Sequence, residues 1–377
     1  MSARLPFFEE RHDGWRDRAR AAAAALASEP EGRAREIVRE LGRRGLFDCF
    51  GLRGGRPDVR ALCVARAELA YRSALADTLF AVQGLGSVPI LLFGDSVQRE
   101  AYLPQVREGQ FIAAFAITEP GAGSDLGAIA CRAVRDGDDY VISGTKTFIS
   151  NAGIADYLVV FARTSDERSR FLSAFVIPKD AQGLSVVRDI PLIAPHPIGE
   201  IAMTDLRLPG RNRLGEEGDG LRIALATLHV FRPSVGAAAL GLARRAMDET
   251  LLATSTRVQF GKPLAEMQGV EWILAEMATD IDASELLVAR AAWLQDVHES
   301  RSGKEASMAK WYATEAAQRV VDRAVQLHGG RGVVAGETVE RLYREVRALR
   351  IYEGTTEIQK SIVARELKKA RAEEAER

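Results

Sequence analysis

Apolar positions recur at helical spacing from residue 8 to about residue 109, at strand spacing to about Leu214, and at helical spacing again to the end of the chain. In the first segment, Arg33 to Leu46 carries one apolar helical face and closes around Gly45, a C-cap region. Gly51 to Pro57 is a loop, and Val59 to Tyr71 is a second amphipathic helix. Residues 74–93 are longer and more apolar, which predicts a core helix interrupted near Gly84-Leu85-Gly86. The middle segment holds short runs rich in β-branched and aromatic residues at 140–144, 157–162, 173–178 and 184–187, separated by Gly, Asp and Pro turns. They predict an antiparallel β-barrel or sandwich. From Gly220, long amphipathic stretches at about 220–255, 266–298, 303–328 and 337–348, and a last helix after Thr355, predict an antiparallel helical bundle. A Rossmann fold would alternate strand and helix throughout, which this order does not. The expected fold is α+β, with domains at 1–110, 111–215 and 216–377. The charged stretch from Lys368 to Arg377 reads as a frayed end.

Composition narrows the function classes. The 377 residues are 47% hydrophobic and 27% charged with a formal net charge of −1, ordinary for a globular protein. That balance lacks the basic excess expected of a nucleic-acid or anionic-membrane binder. Arg-rich stretches at 16–20 and 341–350 alternate with acids and apolar residues and read as solvated helix faces. Cys49, Cys63 and Cys131 are too scattered for a disulfide framework or zinc site, and the five histidines show no metal spacing. A reducing, cytoplasmic location is expected, because acids stand where a signal peptide needs an apolar run. The Ala-rich run 21–27 is short and flanked by charges, so it reads as a helix in water. No run approaches the roughly 18 consecutive apolar residues of a membrane span.

Five short segments carry candidate chemistry. Tyr352-Glu353-Gly354 sets a carboxylate between an aromatic ring and a residue without a side chain. Such a carboxylate is readily desolvated, which raises its pKa and makes it a stronger base near neutrality. The Gly-Thr-Thr-Glu run that follows suits a helix start equally well. Upstream, Gln326-Leu327-His328-Gly329-Gly330-Arg331-Gly332 is a glycine turn. Thr118-Glu119-Pro120-Gly121-Ala122-Gly123-Ser124-Asp125 is a glycine-rich loop whose N–H groups can approach a phosphate. It is not the dinucleotide fingerprint, because Leu126 stands where the third glycine belongs; a plain hairpin loop is the other reading. In Lys146-Thr147-Phe148-Ile149-Ser150-Asn151, Phe148 and Ser150 would share one strand face, able to cover a planar ring and donate a hydrogen bond to it, or would be ordinary alternation. Arg257-Val258-Gln259-Phe260-Gly261-Lys262 lies between two long helices, as a ligand segment or a solvated loop.

Together and in this order, these motifs resemble the acyl-CoA dehydrogenase family over nearly the whole chain. The resemblance implies a helical N-terminal domain, a β middle domain, a four-helix C-terminal domain, FAD and a homotetramer. By motif position, Phe115, Ile117, Thr118, Gly123 and Ser124 would line the flavin. Phe148 would cover one ring face and Ser150 would approach N5, where family members usually carry Trp or Phe and Thr or Ser. Arg257 and Phe260 would reach the FAD of a neighbouring subunit, with Gln326, Gly329 and Gly330 contributing across that interface. Thr355 and Glu357 would touch the cofactor, although Gln is frequent where Glu357 stands. Glu353 would take the α proton, with its own backbone N–H and a flavin ribose hydroxyl holding the thioester carbonyl. Branches that carry the base on another helix place it just before Arg232; here that residue is Phe231, which cannot accept a proton. Arg232 would lie near the CoA moiety, or make a helix-surface salt bridge. Ser124, Tyr352 and Gly354 would also line the substrate.

Asp77 stands out in an apolar helix that would line the acyl pocket. It reads as a helix N-cap, an exposed residue, or a polar anchor or second acid in the pocket, as in cyclohexanecarboxyl-CoA dehydrogenase-like members. The implied activity is α,β-dehydrogenation of an alicyclic or short-chain acyl-CoA, with electrons passing to an electron-transfer flavoprotein. Rival readings are a carrier-protein thioester dehydrogenase or an oxidase of this fold, a non-catalytic DNA-associated flavoprotein, which needs a basic surface, and a helical scaffold.

Overall fold

The computed structural model describes residues 5–26, 33–167, 170–298 and 303–375. Five helices come first: α1 (Arg11–Leu26), α2 (Ala34–Arg43), α3 (Val59–Arg72), α4 (Ala74–Phe93) and α5 (Ser96–Arg107). Eight strands follow: β1 (Ala113–Ala116), β2 (Arg132–Asp136), β3 (Asp139–Ser150), β4 (Tyr157–Arg163), β5 (Leu172–Pro178), β6 (Leu184–Asp189), β7 (Ile198–Pro209) and β8 (Arg213–Leu214). Then come α6 (Gly220–Thr256), a hairpin of β9 (Val258–Gln259) and β10 (Lys262–Pro263), α7 (Gln268–His298), α8 (Gly303–His328), α9 (Thr338–Val346) and α10 (Thr356–Ala375). The fold is mixed helix and sheet in the expected order. The charged end is helical to Ala375 rather than frayed; Ala27, Glu376 and Arg377, which figured in the sequence expectations, lie outside the described residues.

The described residues form two compact units, one drawn from within 1–27, 59–77 and 229–377, the other from within 28–58 and 78–228. In the first, α1 packs on α3, α3 on α7, α7 on α8, and α8 on both α9 and α10. Its core is rich in alanine, with Ala237, Ala238, Ala239, Ala291, Ala292, Ala313 and Ala317 buried among Val320, Val321 and Leu342. Small side chains let helix backbones approach. A Cβ added to Gly241 would lie 2.2 Å from the Ala67 carbonyl oxygen, so α3 and α6 pass in near backbone contact.

The second unit is built on an eight-stranded sheet of order β6-β7-β3-β2-β4-β5-β8, with β1 added beside β4. The sheet is not wholly antiparallel as expected. β1 runs parallel to β4, and β2 meets β4 in parallel at Arg132 and Arg163. Helix α4 is also continuous where an interruption was expected. Gly86 marks a close approach rather than a break, since a Cβ there would lie 2.5 Å from the Ala113 Cβ at the start of β1. Gln83, one turn earlier, ties helix to strand: its Nε2 donates to the Phe111 carbonyl at 2.8 Å and its Oε1 accepts from the Ala113 N–H at 2.6 Å. Helices α4 and α6 are apolar enough on average to cross a bilayer, but most of each is buried inside the fold.

One ionic contact anchors the glycine-rich loop to the sheet. Lys146 Nζ, fully buried, donates to Glu119 Oε1 at 2.7 Å and to the Ile117 carbonyl at 3.1 Å. Glu119 also accepts from the N–H groups of Ala130 at 2.7 Å and Cys131 at 3.1 Å. Burial pushes the Lys146 amine below its usual range while Glu119 pulls it back. Removing one partner strands the other charge without water. Lys146→Met is expected to cost about 3–5 kcal/mol in this unit, read by chemical denaturation; a loss below about 1 kcal/mol would remove the pair from its anchoring role.

Candidate active site

Glu353 lies in the helical unit, where the chain leaves a 3₁₀ turn at Arg347–Arg350 and enters α10. Its φ is +54° and that of Gly354 is +91°, two consecutive left-handed residues. Two buried side chains hold this bend. Gln359 Nε2 donates to the carbonyls of Glu353 and Gly354, both at 3.1 Å, and Lys310 Nζ donates to the Gly354 carbonyl at 2.8 Å. A Cβ on Gly354 would lie 2.5 Å from Gln359 Nε2, so glycine is required there for space as well as for φ. A non-glycine residue at this φ costs roughly 1–3 kcal/mol and persists only where its surroundings impose it.

The carboxylate is dry on one side. Glu353 Oε2 is sealed from solvent and has no hydrogen-bond partner among the described residues. Burial raises its pKa, against the opposing pull of Arg66, Lys310 and Arg232, with Asp77 adding to the rise. The cations respond in kind. Burial pushes Lys310 down to about 8 and lowers Arg232, and Glu353 opposes both shifts. Arg232 is buried with its Nε unpartnered, not engaged in a surface salt bridge.

Asp77 is neither a helix cap nor exposed. It is buried on α4, where the Ser73 hydroxyl accepts the Ala76 N–H at 3.2 Å. Both Asp77 oxygens accept from Arg66, from Nε and Nη2 at 2.8 Å each, and Arg66 Nη1 donates to the Ser234 hydroxyl at 3.1 Å. Arg66 is itself fully buried; desolvation pulls its pKa down, but Asp77 more than offsets this and the net shift is upward. Arg66 also bonds the Tyr352 hydroxyl, whose pKa burial drives up. Phe231 is fully buried on α6.

In the sheet unit, Phe115 on β1 packs against Phe161 with the two rings tilted and their centroids 4.8 Å apart. Ile117 and Thr118 follow half-buried, the Thr118 carbonyl accepting from the Thr147 N–H at 2.9 Å. Gly121, Gly123 and Ser124 are exposed, and a Cβ on either glycine would meet nothing within 4 Å, so the loop is open to a ligand. Phe148 has φ +55° beside a register shift between Lys146 and Ile149, so simple strand alternation does not place it on one face with Ser150. It is 57% exposed despite its size. The Ser150 hydroxyl is paired with His196 Nε2 at 2.8 Å. An uncovered ring held by the backbone, an open glycine loop and a fixed hydroxyl fit a planar, phosphate-bearing cofactor such as FAD.

The remaining residues lie in the helical unit. Phe260 and Gly261 are both left-handed at the tip of the β9–β10 hairpin, and Phe260 is 96% exposed. Arg257 Nη1 donates to the His328 carbonyl at 3.2 Å and lies against Gly329, so the cationic segment and the glycine turn form one locus, with Gln326 and Gly330 exposed beside it. Glu357 is exposed in the first turn of α10; its own N–H and the Thr355 hydroxyl hold its carboxyl below the usual range. Phe148, Phe260 and Glu353 are three of five non-glycine residues with positive φ among those described, so strain gathers at the positions the motifs singled out. Arg66, Lys310, Gln359, Glu119, Lys146 and His196 were not assigned roles from sequence. The available signal was a charge on an apolar helical face, as at Lys310 between Ala306, Ala309 and Ala313.

Comparison with known proteins places these sites in context. Models of the acyl-CoA dehydrogenase N-terminal, middle and C-terminal domains match residues 9–110, 114–206 and 218–368. The chain is 40% identical over 313 residues to a cyclohexane-1-carbonyl-CoA dehydrogenase of Geobacter metallireducens, covering 82% of each chain. It is 37% identical over 341 residues to the caffeyl-CoA reductase-Etf complex subunit CarC of Acetobacterium woodii, covering 87% of this chain and 88% of the relative. The butyryl-CoA dehydrogenase structure from Megasphaera elsdenii superposes with a TM-score of 0.90 at 30% identity, over 97% of this chain and 100% of the other.

Two outcomes follow from the buried charges. A carboxylate whose folded pKa exceeds its unfolded value weakens the fold once pH rises through that folded pKa. Glu353→Gln is therefore expected to raise the melting temperature at pH 7–8, the gain vanishing as pH falls below the unfolded glutamate value of about 4.3. A gain that is equal at acid and neutral pH would contradict the assignment. Arg66→Met leaves Asp77 buried alone and is expected to cost about 3–5 kcal/mol, with Arg66→Met/Asp77→Leu costing less than the sum of the single losses in a denaturant cycle.

Proposed function

This chain belongs to the acyl-CoA dehydrogenase family of FAD-dependent oxidoreductases, and from that premise we propose that it interconverts an acyl-CoA thioester and its α,β-unsaturated counterpart with Glu353 as the α-carbon base. The observation that carries this reading is the Glu353 carboxylate itself, strained, dry on one oxygen and faced by cations. Removing a proton α to a thioester needs a base stronger than a solvated glutamate, and burial supplies the raised pKa. Arg66, Arg232 and Lys310 keep the ionised form attainable.

Glu353 accepts the α proton on its unpaired Oε2. The backbone N–H of Glu353, on the family pattern, donates to the thioester oxygen and draws off enolate charge, as an oxyanion hole does. Bound FAD supplies the two-electron acceptor for the hydride leaving the β carbon. The open Gly121–Gly123 loop and Ser124 would hold phosphate, Phe148 would cover the ring, and the Ser150 hydroxyl would meet its N5 edge. Arg257, Phe260, Gln326, Gly329 and Gly330 would serve the cofactor of a second copy in a homotetramer, and Phe260 is exposed enough to do so. Thr355 and Glu357 would lie at the cofactor, and Arg232, Tyr352 and Gly354 at the thioester. Asp77 enters only through Arg66, because both its oxygens are already engaged.

The Geobacter relative supports an alicyclic acyl group as substrate, and the Acetobacterium relative supports an electron-transfer flavoprotein as electron partner. Anaerobic mixing with cyclohexanecarboxyl-, butyryl- and phenylpropionyl-CoA, followed by flavin absorbance, tests this. The alicyclic thioester is expected to bleach the flavin fastest, and Glu353→Gln to slow it roughly 10²–10⁴-fold. In wild type the rate should rise with pH through the elevated Glu353 pKa. Equal bleaching by the Gln variant would remove Glu353 from the base role, and rapid reoxidation by oxygen would favour an oxidase.

A further inference from the structure

The Ser150–His196 contact has no counterpart in the mechanism above. His196 sits between Pro195 and Pro197, just before β7. The Pro197 carbonyl accepts from the Asn151 N–H at 2.6 Å, and Ser150 pairs with Ile198 in the sheet register. Asn151, left-handed and buried, is pinned in turn by its Nδ2, which donates to the Ala113 carbonyl at 3.0 Å. The imidazole and hydroxyl are therefore held by backbone contacts on both sides of their 2.8 Å bond. Proline on either side of His196 restricts its backbone further.

We propose that His196 is a positioning residue that fixes the direction of the Ser150 hydroxyl and thereby sets the reduction potential of the flavin. A serine hydroxyl has one hydrogen and rotates freely unless a partner holds it. A neutral imidazole holds it in one of two ways. Nε2–H donates to Oγ and frees the hydroxyl hydrogen to point at the ring, or Nε2 accepts that hydrogen and presents only oxygen lone pairs. Burial pushes the His196 pKa down to about 4, so the ring carries a single N–H at neutral pH and its bond to Ser150 is not disturbed by ring protonation there. Either way the ring nitrogen that gains the hydride meets a fixed dipole, and a fixed dipole shifts the balance between oxidised and reduced flavin.

This rests on the reading that places Ser150 at the flavin edge, and the test separates the two. Midpoint potentials are measured by dye equilibration on the holoenzymes of wild type, His196→Ala, Ser150→Ala and the double variant. Each single variant is expected to change the reduction equilibrium about tenfold, about 30 mV for a two-electron couple, with no further change in the double. An unchanged potential in His196→Ala, or one that shifts equally with Ser150 already removed, overturns the proposal. The ¹⁵N resonances of His196 give a second readout without flavin. Ser150→Ala is expected to move the Nε2 signal in the apoprotein, and a signal that does not move also overturns it. If acyl-CoA fails to bleach wild type while the potential shift is present, the substrate reading falls and the His196 assignment stands.

Discussion

The site in the helical unit depends on keeping ionisable a carboxylate with one oxygen sealed from water. Burial alone favours the protonated form of Glu353, and burying it beside unpaired cations would be costly for them. The structure meets both conditions by distributing charge. Arg66, Arg232 and Lys310 face Glu353, and Asp77 holds Arg66. Each comes from a different stretch of chain: α3, α6, α8, the entry to α10, and the first turn of α4. Such a cluster forms only if helices approach closely, and the alanine-rich core with Gly241 against Ala67 makes that approach possible. Core composition and site chemistry are therefore one constraint.

The sequence pattern revealed the elements where periodicity was strong, and it singled out candidate segments where a motif combined chemistry with glycine. Helices α6 to α8 and strands β4 to β6 fall close to their expected limits. What escaped was pairing over long separations. Arg66 and Asp77 are 11 residues apart and Glu119 and Lys146 27 apart; Asp77 drew notice while Arg66 looked like an ordinary helix residue, and Glu119 and Lys146 stood inside motifs without a role of their own. Asp77 was legible as an anomaly but not as half of an ion pair. Gly86 was read as a break because glycine weakens helices; its reason is contact with Ala113, which no local window contains. Strand β1 is four residues of Ala and Phe, buried nearly throughout, so it shows no alternation.

The sheet unit answers a different demand. Its loop must stay open to a ligand yet not collapse, and the Glu119–Lys146 pair fixes it from beneath while the exposed glycines leave its surface clear. The left-handed Phe148, imposed by the shift in the β3–β7 register, keeps a large ring at the surface where packing would otherwise draw it inward. Strain at Phe148 and Glu353 has the same origin in both units: a functional group is held where it would not settle alone, by neighbours with ordinary geometry.

Reversibility would follow from the proposed chemistry. Burial raises the Glu353 pKa, and on the proposed reading a base stronger than a solvated glutamate would serve proton removal from an acyl-CoA and, by microscopic reversibility, proton delivery to an enoyl-CoA. Relatives of comparable similarity carry both names, dehydrogenase and reductase. On that reading proton transfer would serve each direction equally and would not choose between them. The tendency of the cofactor to hold electrons would bear on direction, and the residues proposed to govern that tendency lie around Ser150 and not in the carboxylate cluster. That proposed division of labour would give the hydroxyl held by a histidine in the sheet unit a part in the outcome beside that of the glutamate in the helical one.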